Sequence, residues 1–171
     1  PPVANAGPNQ TVCIGSSVNL SATGGVSYSW TPGGLSGNPV SVSPSNTTNY
    51  VVVVTDANGC TARDTVRIIV NQLPVPTVSP DQTICAGQSA TLTATTSVSG
   101  GSFAWSPVAS SSSSLSVSPT STTNYTVSYT LSGCSPVNAT GSITVNPISA
   151  ISGNTSLCVG ATSLLSNSEA P

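Results

Sequence analysis

The chain has 171 residues, a formal net charge of −2, no histidine and 4% charged residues. Two arginines (Arg63 and Arg67) and no lysine leave no basic face for a phosphate backbone, which excludes nucleic-acid binding. No apolar run approaches the roughly 20 residues that cross a bilayer, so no membrane-spanning segment is expected. Val and Thr are plentiful and helix formers are nowhere grouped, which predicts an all-β chain.

The first predicted strands lie in "QTVCIGSSVNLSAT" (Gln10–Thr23), where Val18, Leu20 and Ala22 alternate with polar residues. Period-two alternation with one apolar face is what a half-buried strand requires. "YSWTP" (Tyr28–Pro32) places Tyr28 and Trp30 on one face, and Val40 and Val42 continue the alternation. "SVSPSNTTNY" (Ser41–Tyr50) then reads as a corner: Pro44 stops one strand, and the Ser, Thr and Asn side chains bond backbone groups locally. Tyr50, Val52 and Val54 predict the next strand, Asn58-Gly59 a turn, and Val66, Ile68 and Val70 a last strand.

The whole pattern then recurs. "QTICAGQSATLTAT" (Gln82–Thr95) matches the opening, "FAWSP" (Phe103–Pro107) the Trp segment, and "SVSPTSTTNY" (Ser116–Tyr125) matches the corner in eight of ten letters at an offset of 75. Leu92, Phe103, Trp105, Val117, Tyr125, Val127 and Ile143 take the internal positions of Leu20, Tyr28, Trp30, Val42, Tyr50, Val52 and Ile68. Together with Val18 these are the predicted core. A third opening appears at "TSLCVGATSLL" (Thr155–Leu165). The organisation expected is a repeat over 1–73, a second over 74–147 and the beginning of a third, incomplete one over 148–171. Six or seven short strands per repeat predict a two-sheet sandwich with its own core. The joints, "NQLPVPTVSP" (Asn71–Pro80) and "NPISAISG" (Asn146–Gly153), are stiffened by proline.

Each full repeat holds two cysteines: Cys13 and Cys60, then Cys85 and Cys134, with Cys158 in the third opening. Four cysteines allow three connectivities. The repeat favours one bond within each unit, Cys13–Cys60 and Cys85–Cys134, leaving Cys158 unpaired in this segment. Closing a loop of that size contributes about 4 kcal/mol in the chain-entropy model. Two thiolates per repeat without histidine make a poor zinc set. Disulfides imply an oxidising setting: extracellular, surface-exposed or periplasmic.

Catalytic chemistry finds no residues to carry it. The carboxylates Asp56, Asp64, Asp81 and Glu169 are scattered, and no base is in evidence to activate a serine. Hence no enzymatic activity, cofactor or metal is expected, although a weak calcium site at a repeat junction stays open. Trp30 and Trp105 are read as core rather than as sugar-stacking platforms. Ser-rich stretches such as Ser110–Leu115 are read as solvated loops. Six Asn-X-Ser/Thr triplets start at Asn9, Asn19, Asn46, Asn124, Asn138 and Asn154.

The segments Ala6–Gly25, Tyr28–Pro32 and Ser43–Cys60, with their counterparts Asp81–Thr95, Phe103–Pro107 and Ser118–Cys134, resemble the tandem Ig-like or PKD-like repeats of very large secreted and cell-surface adhesin-type proteins of Bacteroidetes. That resemblance implies Ig-like/PKD-like β-sandwich domains in stalks or adhesive arrays, exported by the type IX system. "DTV" at Asp64–Val66 also resembles an O-glycosylation motif of that phylum.

The function expected is a non-enzymatic structural or adhesive repeat array at the outer cell surface or outside the cell, making low-affinity multivalent contacts. Its partners would be neighbouring repeats, an environmental or cell-surface polysaccharide, or copies of itself. Two alternatives are an accessory carbohydrate-binding module of a secreted enzyme, which needs exposed aromatics, and an extracellular filament subunit assembled by strand addition.

Overall fold

A computed structural model describes residues 1–147, and every regular element in it is a β-strand. The expected third repeat, with Cys158, lies outside the described residues. The first half of the chain forms β1 (Gln10–Cys13), β2 (Val18–Leu20), β3 (Ser27–Thr31), β4 (Leu35–Ser36), β5 (Val40–Val42), β6 (Thr48–Thr55) and β7 (Thr61–Asn71). The second half forms β8 (Pro76–Val78), β9 (Gln82–Cys85), β10 (Ala90–Thr96), β11 (Ser102–Ser106), β12 (Ser114–Val117), β13 (Thr123–Thr130) and β14 (Val137–Asn146).

The two halves pair their strands alike. In the first, one sheet has the order β1-β7-β6-β3-β4 and faces the pair β2-β5. In the second, one sheet has the order β11-β13-β14-β9 and the other β12-β10-β8. β1 runs parallel to β7 with Gln10 opposite Ile68, and β9 runs parallel to β14 with Gln82 opposite Ile143. The second sheets match too: Val18 stands opposite Val42, and Ala90 opposite Val117. A one-residue slip would turn every apolar side chain outward, so the alternation enforces this shared register.

Each half buries its own core. Around Trp30 pack Leu20, Val52, Val54, Val66 and Ile68, all at most 1% exposed. Around Trp105 pack Leu92, Leu115, Tyr125, Val127 and Ile143. Val18, Val42 and Tyr50 are buried as well, whereas Tyr28, Phe103 and Val117 are half-buried at the core's margin. Both indoles reach the same kind of partner: Trp30 Nε1 donates to Gly37 O at 3.2 Å and Trp105 Nε1 to Ser112 O at 2.8 Å. A buried indole N–H without such an acceptor would carry its full desolvation cost.

The halves differ where one core exchanges volume. Val66 is buried on β7, beside the buried Ala6 of the N-terminal segment. The corresponding residues are Gly141 and Val78, and a Cβ on Gly141 would lie 2.6 Å from Val78 Cγ1. A large-plus-small pair has become a small-plus-large one at the same place, as close packing demands.

The repeated Ser/Thr-rich phrase forms the connection from β5 to β6, and again from β12 to β13. Thr47 Oγ1 accepts from Val70 N at 3.1 Å, as Thr122 Oγ1 does from Val145 N at 3.0 Å. The next threonines close the turn itself: Thr48 Oγ1 donates to Asn46 O and Thr123 Oγ1 to Ser121 O. The phrase recurs because each sandwich needs this corner tied to its last strand.

By contact, the chain divides into two compact units that do not follow the sequence repeats strictly. Among the described residues, one holds Pro1–Val75 together with Thr96–Ser102 and Tyr129–Val137, and the other holds Pro76–Thr95, Phe103–Ser128 and 138–147. Two loops written in the second repeat therefore belong structurally to the first unit.

Candidate functional site at the strand-end cysteines

Cys13 closes β1, and its register partner on β7 is Asn71, the last residue of that strand. Cys60 stands just before Thr61, the first residue of β7. An 11-residue strand rising about 3.3 Å per residue separates its ends by roughly 33 Å. A disulfide needs its Cα atoms within about 7 Å. The expected Cys13–Cys60 bond is therefore wrong: the parallel pairing of β1 with β7 sends the two cysteines to opposite ends of one strand. The same geometry excludes Cys85–Cys134. Cys85 faces Asn146 at the end of β14, whereas Cys134 lies in the turn that precedes that strand.

The observed bond joins Cys13 to Cys134, across 121 residues, with Cα atoms 4.7 Å apart. Cys85 is disulfide-bonded as well, and not to Cys134. Cys60 is a free, exposed thiol. The expectation for Cys158 falls outside the described residues.

The bond sits in a docked turn. Gly133 adopts φ +76°, and a Cβ there would lie 2.7 Å from Thr11 O and 2.9 Å from Val12 Cα, so only glycine permits this approach. Asn71 Nδ2 donates to Ser132 O at 2.8 Å. Leu131, beside them, is buried. The other borrowed loop is held likewise: Val75 N donates to Ser97 Oγ at 3.0 Å, and Ser97 N donates to Val75 O at 3.3 Å. Tyr129 OH accepts from Gly101 N at 2.7 Å and donates to Val98 O at 2.8 Å, fixing that loop from within. Pro74 is fully buried, so the proline-rich joint is packed as well as stiff.

Elsewhere the described residues offer little chemistry. No group of three His, Cys, Asp or Glu among them could hold a metal ion, and no helix among them is long and apolar enough to cross a membrane. All seven aromatic residues of the chain lie in the described part, and none is exposed. Tyr129, which takes the position of Val54 in the first half, is 2% exposed. Asp64 does structural work: its Oδ2 accepts from Ala6 N at 2.7 Å, pinning the N-terminal segment to β7. That bond, with a second from Thr65 N, holds the carboxyl below its ordinary pKa. Burial pushes the Tyr50 phenol up.

Sequence reasoning missed the partner of Cys13 because it treated each repeat as closed on itself. One signal was present: "SGC" sets a glycine directly before Cys134, and a glycine there suits a turn approached closely by other backbone.

The order β1-β7-β6-β3 in the first half and β9-β14-β13-β11 in the second corresponds to A′-G-F-C, and β8-β10-β12 to A-B-E; with A′ parallel to G, this defines the class as an Ig-like β-sandwich. It lacks the inter-sheet disulfide of antibody domains. Val52, two residues after Tyr50 on the F-type strand β6, stands in that cysteine's place and packs on the C-strand Trp30 side of the core. No family model and no curated protein sequence matches the chain. Among solved structures, a two-domain DIP-gamma fragment (IG1+IG2) is 15% identical, with a TM-score of 0.47 over 83% of this chain and 97% of that one. Murine CEACAM1b is 16% identical, with a TM-score of 0.45 over 81% and 96%. Both likenesses are distant; the strand order, not they, defines the fold.

Proposed function

We propose that this chain is a non-enzymatic segment of an extracellular array of Ig-like repeats, working as a stalk or multivalent surface contact in which successive repeats are stapled covalently. The observation that carries the reading is the Cys13–Cys134 bond, which joins the first sequence repeat to the second rather than closing either. A hydrophobic core needs no such bond to form a single sandwich, whereas a load-bearing joint gains directly from it. An oxidised bond here supports a location outside the reducing cytosol. Few charges and a Ser/Thr-rich exterior suit weak surface contacts that gain strength through number. Carbohydrate stacking has no exposed ring to rest on.

The test is single-molecule extension of the chain held at its two ends. Under oxidising conditions the residues between Cys13 and Cys134 are shielded from the load. Reductant should release an added contour length of roughly 400 Å, at about 3.3–3.6 Å per freed residue. Equal contour lengths with and without reductant would refute the stapled-stalk reading.

A further inference from the structure

The two Gly-Cys turns are the same device in different states. In the second repeat, Gly133 lies against Thr11 and Val12, Ser132 O accepts from Asn71, and Cys134 is bonded to Cys13. In the first repeat, Gly59 has nearly the same left-handed conformation, φ +80° against +76°, yet nothing lies within 4 Å of where its Cβ would be. The turn keeps its shape without a partner. Asp56 Oδ1 accepts from both Asn58 N and Cys60 N at 2.9 Å, and Asp56 N donates to Cys60 O at 2.9 Å. A preformed turn with a free thiol, a φ that keeps glycine, and open space at that glycine is built to receive what its twin already holds.

We propose that the Cys60 turn is a docking and disulfide-bonding site for the strand-end cysteine of another repeat of this kind, standing immediately N-terminal to it. The occupant is a Gln-Thr-(Val/Ile)-Cys strand end, the sequence found at Gln10–Cys13 and Gln82–Cys85. The partner strand's closing asparagine, found as Asn71 and as Asn146, would donate to Asn58 O as Asn71 does to Ser132 O. Pairing within its own repeat is closed to Cys60 by the length of the last strand, as it is to Cys134, which receives Cys13 from the repeat before it. This inference rests on the array reading only in supposing that such repeats occur in series.

The bond forms by exchange with an oxidising disulfide such as oxidised glutathione. The Cys60 thiolate attacks one sulfur of that disulfide, giving a mixed disulfide and releasing one thiolate, which takes up a proton. The thiolate of the incoming cysteine then attacks the Cys60 sulfur, and the second glutathione thiol leaves. Two protein thiols are oxidised and one glutathione disulfide is reduced.

The experiment places residues 1–72 ahead of Pro1 of the full chain, the added copy carrying the surface mass tags Ile14→Val and Ala57→Ser. After folding in glutathione buffer, free thiols are alkylated and peptides are mapped without reduction. The expected result is a bond from Cys13 of the added copy to Cys60 of the original, with the free thiol moved to Cys60 of the added copy. Gly59→Asn in the original copy should lower that bond's yield at least tenfold. In the unfused chain the same change should leave alkylation of Cys60 by a small reagent unaltered, which separates blocked docking from a lost turn. Alkylation of the original Cys60 to the same extent in the fused and unfused chains would overturn the inference, as would a yield indifferent to Gly59→Asn. Neither result would touch the extension measurement, so the stalk reading stands or falls separately.

Discussion

Removing the Cys13–Cys134 bond is the perturbation with the largest calculable effect. In the chain-entropy model, a cross-link closing 121 residues restricts the unfolded chain by about 4.9 kcal/mol at 25 °C. Measured values commonly lie at about 2–4 kcal/mol. Cys13→Ser/Cys134→Ser should therefore lose about 2–5 kcal/mol, a large share of the roughly 5–15 kcal/mol that holds a domain folded. Urea unfolding followed by fluorescence reports this directly, because Trp30 and Trp105 sit in separate cores. Cys60→Ser, at an exposed free thiol, is the matched control and should stay within about 0.5 kcal/mol of the parent. The reasoning is refuted if Cys60→Ser loses several kcal/mol as well, since a Cys13–Cys60 bond would be broken by both variants, or if the double variant stays within about 1 kcal/mol of the parent.

Three further outcomes are expected. Tyr129→Phe removes a hydroxyl bonded to both Gly101 N and Val98 O, and should cost about 1–3 kcal/mol by the same urea assay. Gly141→Val puts a Cβ 2.6 Å from Val78 Cγ1 and should destabilise by about 1–3 kcal/mol; adding Val78→Ala should recover most of it, a non-additivity read in a double-mutant cycle. Asp64 has its folded pKa lowered by the Ala6 and Thr65 N–H groups, so its contribution is present above the unfolded carboxylate pKa and lost as pH falls through the folded value. Thermal melts should thus show Asp64→Asn less stable than the parent at pH 7, with the gap closing in acid; a gap constant with pH would count against the assignment.

The alternation of Val18 with Leu20, of Tyr50 with Val52, and of their counterparts made the strands and most of the core legible in sequence. That code is local: one residue's side-chain direction fixes its neighbour's, and a period of two needs no knowledge of the fold. Internal repetition made the corner at Ser41–Tyr50 legible too, since both copies keep the small polar residues a turn uses. The size exchange between Ala6/Val66 and Val78/Gly141 was invisible, because residues about sixty apart in the chain touch only once β7 and β14 are in their sheets.

The cysteine partners were illegible for a related reason. Spacing in sequence grouped Cys13 with Cys60 and Cys85 with Cys134, but a disulfide is decided by distances of a few ångströms in space. Sequence by itself determined an all-β chain with internal aromatics, because side-chain alternation and turn chemistry are properties of short stretches. Tertiary structure alone decided that β1 lies parallel to β7 and β9 to β14. Parallel pairing carries each first cysteine to the end of its sheet away from the second cysteine of its own repeat, and Cys13 meets Cys134 there.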